Sequence, residues 1–375
     1  MSDAVIAGYV RSPFHFATKG ALARTRADDL AAAVIKGVVS KSGIDPNDVE
    51  DLLLGCAFPE GEQGLNVARL VSFIAGLPQA AGAATINRFC GSSMQAIHSA
   101  AGAIALGAGD VFVCAGVESM SRVPMMGFNP MPNPLLAEQM PAAYVSMGIT
   151  AENVAKKYGI SREAQEEFAV ASHVKASSAR QHGRFADEII AMPVGAEDGC
   201  IRADASMQAL ASLKPAFDQA GVVTAGTSSP LTDGAAACLV VSEKYARDHK
   251  LPILARIKSV AIAGCNPEMM GIGPVAATRK ALLRAGLSTG DIDIIELNEA
   301  FASQAIACVR DLELDMSKVN LDGGALALGH PLGATGARIT GKAAALLKRE
   351  GKRFALATQC IGGGQGIATI LEAVS

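Results

Sequence analysis

The chain has 375 residues, 50% of them hydrophobic and 18% charged, with a formal net charge of −3. That is enough apolar sequence for a large core and more than one structural unit, and the charge balance excludes a basic nucleic-acid-binding surface. No run approaches the ~20 apolar residues that cross a bilayer, so membrane insertion is not expected.

The N-terminus, MSDAVIAGYVRSPF, carries no basic segment leading into an apolar run and enters a strand pattern almost at once, so no signal peptide is expected. Residues 31–54, AAAVIKGVVSKSGIDPNDVEDLLL, predict a helix, a glycine turn, an acidic patch and an apolar strand. The strand-like AATI then leads into NRFCGSS (87–93) and a helical run, MQAIHSAAGAIALG. Cys90 therefore falls where a strand turns into a helix. Unpaired N–H groups and the positive end of the helix dipole there favour a thiolate over a thiol. VFVCAGV (111–117) reads as a buried strand. A long excursion follows, with a Pro- and Met-rich loop (RVPMMGFNPMPNPLLAEQM) and a strongly helical piece (TAENVAKKYGISREAQEEFAVASHVKASSARQ). The half closes with the strand GAAACLVVSE, starting at Gly234.

The pattern then repeats. PVAATRKALLRAGLSTGDIDIIEL (274–297) matches 31–54 in type, and 31 to 274 is a step of 243. The same step takes 94–107 to 337–350 and 111–117 to 354–360. Continuous apolar strands alternating with amphipathic helices predict an α/β layered fold of two duplicated halves about a pseudo-twofold axis. The expected units are 1–117 plus about 231–251, an inserted loop domain at 118–230, and a second half at 252–375.

The duplication places the candidate groups. The counterpart of Cys90 is Gly333 (90 + 243 = 333) in GHPLGATG, so His330 precedes the second-half helix much as Cys90 precedes the first. Cys360 ends the strand beside that helix, ahead of IGGGQG. This glycine-rich turn lacks the spacing of a dinucleotide loop and the lysine of a P-loop. Asn298 and Glu299 follow the strand IDIIEL and precede the helix AFASQAIACV; a polar pair at a strand end reads as functional, with a simple cap of that helix by Glu299 as the alternative. The eight cysteines include no C-x-x-C pair and none has a histidine at metal-ligand spacing, so neither a metal site nor a disulfide framework is expected. Free thiols imply a reducing compartment, read as the cytoplasm. The six cysteines other than Cys90 and Cys360 are assigned to core packing. Two thiols and an imidazole without a metal suit thioester chemistry. One thiolate acts as nucleophile, the second moves a proton to or from carbon, and the imidazole with backbone N–H groups holds an oxyanion.

These motifs resemble the thiolase family, and within it the degradative 3-ketoacyl-CoA thiolases (acetyl-CoA acyltransferases). The resemblance runs through NRFCGSSMQAI, MGITAENVAKKYGISREAQEEFA, LKPAFD, VTAGTSSPLTDGAAA, NEAFASQ, DGGALALGHPLGATGAR and QCIGGGQGIA. It implies the thiolase-like α-β-α-β-α fold, with the insertion as the loop domain that holds coenzyme A and the acyl chain. Cys90 would be the acylated nucleophile, activated by His330, which also helps hold the thioester oxygen. Asn298 would position a water in that oxyanion hole. Cys360 would be the acid/base, and the N–H groups of Cys90 and Gly362 a second oxyanion hole. Ser229 would lie near the pantetheine and Arg202 near the adenine nucleotide. CoA would be a co-substrate, with no prosthetic group.

The implied reaction is thiolysis of 3-ketoacyl-CoA to acetyl-CoA and a shortened acyl-CoA, as in fatty acid β-oxidation. The alternatives are a biosynthetic acetyl-CoA C-acetyltransferase that forms acetoacetyl-CoA and a non-catalytic acyl-CoA-binding subunit. Short-chain biosynthetic members typically carry His-Met-Gly in the loop domain, where this chain has Ser146-Met147-Gly148. Met147 and a run of further methionines would suit acyl chains longer than acetyl, or equally a packed subunit contact. The family expectation is a homodimer or homotetramer. Some relatives also work with a hydratase/dehydrogenase partner of a β-oxidation complex.

Overall fold

The computed structural model describes residues 3–374. Ten strands carry the fold: β1 Ala4–Arg11, β2 His15–Phe16, β3 Asp51–Gly55, β4 Gly82–Ile86, β5 Val111–Ser119, β6 Thr232–Ser242, β7 Ala255–Gly264, β8 Ile294–Leu297, β9 Phe354–Ile361 and β10 Gln365–Glu372. They form one mixed sheet in the order β4-β3-β5-β6-β1-β7-β10-β9-β8, with β2 on β6. Around the middle of that order the two sides correspond: β1, β6, β5, β3 on one side and β7, β10, β9, β8 on the other. The sides join only through β1 and β7, at Val5 opposite Arg256 and Ile6 opposite Ala255. Those two ladder pairs make one sheet of what the sequence pattern presents as two.

The repeat holds in detail. Helix Ala27–Ser42 ends on Gly43 at φ 74°, and helix Gly273–Ala285 ends on Gly286 at φ 67° (43 + 243 = 286). Each glycine takes the left-handed turn that closes a helix without the penalty a Cβ would bring. Short 3₁₀ turns follow at Pro46–Asp48 and Thr289–Asp291, then β3 and β8. The copy is incomplete at β4, because its counterpart (82 + 243 = 325) opens the short helix Ala325–Leu328.

The core follows the layers. One apolar cluster packs helices Ala27–Ser42 and Val67–Ala75 against the first half-sheet, and another packs helices Gly273–Ala285 and Ala302–Asp311 against the second. Between them, helices Ser92–Leu106 and Leu332–Glu350 lie side by side in a cluster that draws strand residues from both halves. β5, β6 and β9 are buried along their whole length. Both faces of these strands are therefore covered, which is why they read as unbroken apolar runs. The two central helices touch at Gly336, where a Cβ would run into the backbone nitrogen of Met94.

The segment between β5 and β6 carries helices Met147–Tyr158 and Arg162–Gln181 and is tied down by buried charge. Arg11 on β1 bonds Asp198 in bidentate fashion (2.7 and 2.8 Å) and Glu188 (2.7 Å). Lys342 on the second-half central helix reaches the same Glu188 (2.8 Å) and also Asp322 (2.7 Å). Among the described residues no helix is long and apolar enough to cross a membrane, and no group of three or more His, Cys, Asp or Glu is placed to hold a metal ion. All eight cysteines are free thiols.

Candidate active site

Cys90 sits in a turn built by its neighbours. Asn87 donates to the Ala57 carbonyl (3.0 Å) and accepts from the Phe89 N–H (2.9 Å). The Ser92 hydroxyl accepts from the Arg88 N–H (2.9 Å), and the Gly91 N–H closes on the Arg88 carbonyl (2.9 Å). Phe89 is thereby held at φ 43°, a left-handed conformation that costs a bulky residue free energy. The turn delivers Cys90 two residues before helix Ser92–Leu106. From the other half, the Gln359 side chain donates to the Cys90 carbonyl.

The second half supplies the rest. His330 stands between helices Ala325–Leu328 and Leu332–Glu350, Asn298 directly follows β8, and Cys360 lies near the end of β9. Cys90, His330 and Cys360 line one cavity of about 200 Å³, together with Ser229 and Met147. Its walls are apolar: Phe217 and Phe301 meet edge-to-face at 5.9 Å, beside Met120, Met125, Met270 and Leu332. Gly362 is part of the same corner. Its N–H and that of Cys90 lower the pKa of the Cys90 thiol, and a Cβ at Gly362 would lie 3.5 Å from the Met147 sulfur. Asn298 is fully buried. Its Nδ2 lies 3.4 Å from His330 Nε2, and its Oδ1 has no hydrogen-bond partner within the protein.

A larger hollow, about 470 Å³, lies between helices Ala27–Ser42 and Leu332–Glu350. Most of its charges are committed: Lys342 to Glu188 and Asp322, and Arg184 and Arg349 to Asp322. It contains neither a thiol nor a histidine. The chemistry belongs to the smaller cavity.

Protonation departs from the sequence expectation. Burial pushes the Cys90 thiol up to about 11, against the lowering effect of the Gly362 and Cys90 N–H groups, and Glu118 adds to the rise. The helix end does not win: desolvation outweighs it and favours the thiol form of Cys90. Cys360 is raised well above the ordinary range, by burial first and by Cys90 next. His330 is pushed down to about 3 by burial and by Arg338, so its imidazole is neutral.

Two further expectations need correction. Glu299 does not cap helix Ala302–Asp311. It accepts from Ser172 (2.6 Å), Asn320 (2.7 Å) and the Leu326 N–H (3.2 Å), and so ties the loop before His330 to helix Arg162–Gln181. Cys265 is only part-buried, unlike the other five cysteines assigned to the core. Arg202 is not among the residues lining the thiol cavity. Its guanidinium lies over the Phe16 ring, 5.4 Å from the centroid. Of the methionines before helix Met147–Tyr158, Met120 and Met125 reach the cavity, whereas Met126, Met131 and Met140 are exposed.

Sequence reasoning missed Glu118, at the end of β5. This buried carboxylate accepts from Ala57 N (2.8 Å), Gln63 Nε2 (2.8 Å) and Gly333 N (2.9 Å). It locks the start of the second-half helix against the loop that supports Cys90. A lone acidic residue after an apolar strand was the available signal. It also missed Thr232 and Thr335, which hold His330.

Comparison with known proteins decides the family. Residues 4–244 match the family model described as thiolase, N-terminal domain, and residues 251–373 match thiolase, C-terminal domain. The chain belongs to the thiolase family. It is therefore an acyltransferase by class. It is 49% identical over 391 aligned positions to a 3-ketoacyl-CoA thiolase of Shewanella sp. (strain MR-7), covering all of both chains. It is equally similar to that of Shewanella loihica, with 99% of this chain and all of the relative covered. Among solved structures, human mitochondrial 3-ketoacyl-CoA thiolase in complex with CoA superposes with a TM-score of 0.93 at 37% identity, covering 100% of this chain and 98% of that one. The Bacillus anthracis acetyl-CoA acetyltransferase gives 0.93 at 40% identity, covering 100% and 99%. The thiolase fold thus carries both activities at equal structural likeness, and the side chains around the thiols must separate them.

Proposed function

We propose that this thiolase cleaves 3-ketoacyl-CoA with CoA, giving acetyl-CoA and an acyl-CoA two carbons shorter. The observation that carries this reading is the convergence of Cys90 from one half with His330 and Cys360 from the other on a single apolar cavity. The 3-ketoacyl-CoA thiolase relatives at 49% identity support it.

Because Cys90 rests as a thiol and His330 as a neutral imidazole, the base removes the proton as the nucleophile attacks. The Cys90 sulfur adds to C3 of the substrate while its proton passes to His330. The C3 oxyanion is held by the N–H groups of Cys90 and Gly362. The C2–C3 bond then breaks, leaving an acyl-Cys90 thioester and the enolate of acetyl-CoA. His330, now carrying the proton, donates to the enolate oxygen together with the group that Asn298 positions. The Cys360 thiol protonates C2, and acetyl-CoA leaves. Incoming CoA gives its thiol proton to Cys360 and attacks the acyl carbonyl. Cys90 departs and recovers its proton from His330, so protons balance over the cycle.

Met147, Ser229 and the aromatic pair line the route of the pantetheine and acyl chain in this reading, and residues 118–230 act as the CoA-holding loop domain. Arg202 serves the nucleotide end, outside the reaction cavity. The eight free thiols support a reducing, cytoplasmic setting. We assign a homodimer, with the outer edge of β4 and the exposed Leu65, Leu70, Phe73 and Ile74 beside it as the contact.

CoA-dependent cleavage across chain lengths, with Cys90→Ala alongside, tests the function. Medium- and long-chain cleavage abolished by the substitution is the expected result. Cleavage confined to acetoacetyl-CoA would assign the acetyltransferase activity carried by the Bacillus relative. No cleavage by folded protein would leave an acyl-CoA-binding subunit.

A further inference from the structure

His330 is held at two points by threonine hydroxyls, and each hydroxyl also lies within hydrogen-bond reach of a proline carbonyl. Thr232 Oγ1 donates to the Pro230 carbonyl (2.6 Å) and faces the His330 backbone N–H at 3.0 Å. Thr335 Oγ1 donates to the Pro331 carbonyl (3.0 Å) and faces His330 Nδ1 at 2.6 Å. A hydroxyl carries one donor and two acceptor lone pairs. Thr232 meets the His330 N–H as an acceptor. When the Thr335 proton points to the Pro331 carbonyl, Thr335 accepts as well and Nδ1 carries the hydrogen.

The other ring nitrogen agrees. Asn298 presents Nδ2, a donor, to Nε2 at 3.4 Å. A donor facing Nε2 and an acceptor facing Nδ1 specify the same form of the ring. All three partners are fully buried. We propose that Thr335 is a positioning residue that fixes His330 as the Nδ1–H tautomer, leaving the Nε2 lone pair to take the Cys90 proton, with Thr232 anchoring the His330 backbone beside it. The hydrogen bond at one imidazole nitrogen sets the protonation of the other, and here a neutral hydroxyl does what a carboxylate does in other bases. This choice leaves the cavity without a second negative charge next to the enolate.

The effect on rate rests on the thiolase reading, whereas the tautomer is a property of the resting protein and is measured without substrate. The experiment is ring-nitrogen NMR of full-length protein labelled with ¹⁵N-histidine, with His330→Gln identifying the His330 signals among the six histidines. Wild type is expected to show a protonated Nδ1 and an unprotonated Nε2. Thr335→Val is expected to mix the tautomers and lower kcat/KM about 10–100-fold, the usual cost of losing a group that orients a histidine. Thr335→Ser is expected to restore both. A protonated Nε2 in wild type would overturn the proposal. So would a Thr335→Val protein that keeps the pure Nδ1–H form, whatever its rate. If Thr335→Val does not fold, the wild-type and Thr335→Ser spectra still decide. Wild-type protein with the Nδ1–H tautomer and no thiolysis would sink the function and uphold the tautomer.

Discussion

At the residue scale, burial raises the Cys90 thiol above its ordinary value, so the proposed nucleophile is expected to rest as a thiol. The thiolate fraction of a thiol pushed up to about 11 grows about tenfold per pH unit until that value is reached. Alkylation of Cys90 by iodoacetamide, followed by mass spectrometry, should therefore keep rising between about pH 7 and 9 without a plateau. Levelling off near pH 8 would show a thiolate already formed. Replacing His330 by Gln removes the base and is expected to lower kcat by about 10²–10⁴-fold. The sequence led to Cys90, His330, Cys360 and Asn298 because each stands beside a helix start or strand end in a duplicated pattern. Their protonation was hidden, since it depends on how completely other segments enclose them. Thr232 and Thr335 were equally hidden. They look like ordinary helix and strand residues until the fold sets their hydroxyls against His330.

At the scale of elements, the site depends on two helices held at near-contact. Helix Ser92–Leu106 follows Cys90 and helix Leu332–Glu350 follows His330, so their spacing sets the nucleophile–base distance. Gly336 allows that spacing because a side chain would strike the Met94 backbone, which has no freedom to rotate away. Gly336→Ala is expected to destabilise the protein by about 1–3 kcal/mol through overpacking and to lower kcat more than it raises KM. Chemical denaturation and steady-state kinetics on one preparation test both parts. An unaltered kcat would mean that helix spacing does not set the reaction geometry. The helices, their glycine caps and the 243-residue repeat were readable from apolar periodicity and turn residues. The close approach at Gly336 was not, because it depends on two segments far apart in the chain.

At the scale of the whole molecule, buried charge joins three regions of sequence. Arg11, Glu188, Lys342 and Asp322 connect the first strand, the insertion and the second-half helix. The Arg349 and Lys342 cations hold the Asp322 carboxyl down to about 2 despite its burial. A carboxylate whose folded pKa is depressed stabilises the fold above its unfolded value near 4. That contribution is lost as pH falls from about 4 toward 2. Asp322→Asn should therefore be least stable relative to wild type at neutral pH, with the gap narrowing in acid, as urea unfolding at several pH values would show. A gap constant from about pH 6 to 3 would rule out the ion pairs as its source. The assembly is tested at the same scale. Phe73→Glu with Leu70→Glu should shift the protein to monomer in light scattering, because charges on a buried apolar contact remain uncompensated. A dimer that survives both changes would place the contact elsewhere.

The duplication has a consequence for how such a catalyst could arise. The 243-residue step pairs position 333 with position 90, yet Gly333 already lies inside helix Leu332–Glu350, and a Cβ there would lie 2.5 Å from the Val117 carbonyl and 2.8 Å from the Cys56 Cα. The second repeat therefore has no room for a nucleophile of its own. In the proposed reaction it contributes the base and the carbon acid, and the first contributes the thiol that is acylated. Two copies of one architecture have become unlike partners in a single reaction, one site for each pair of repeats.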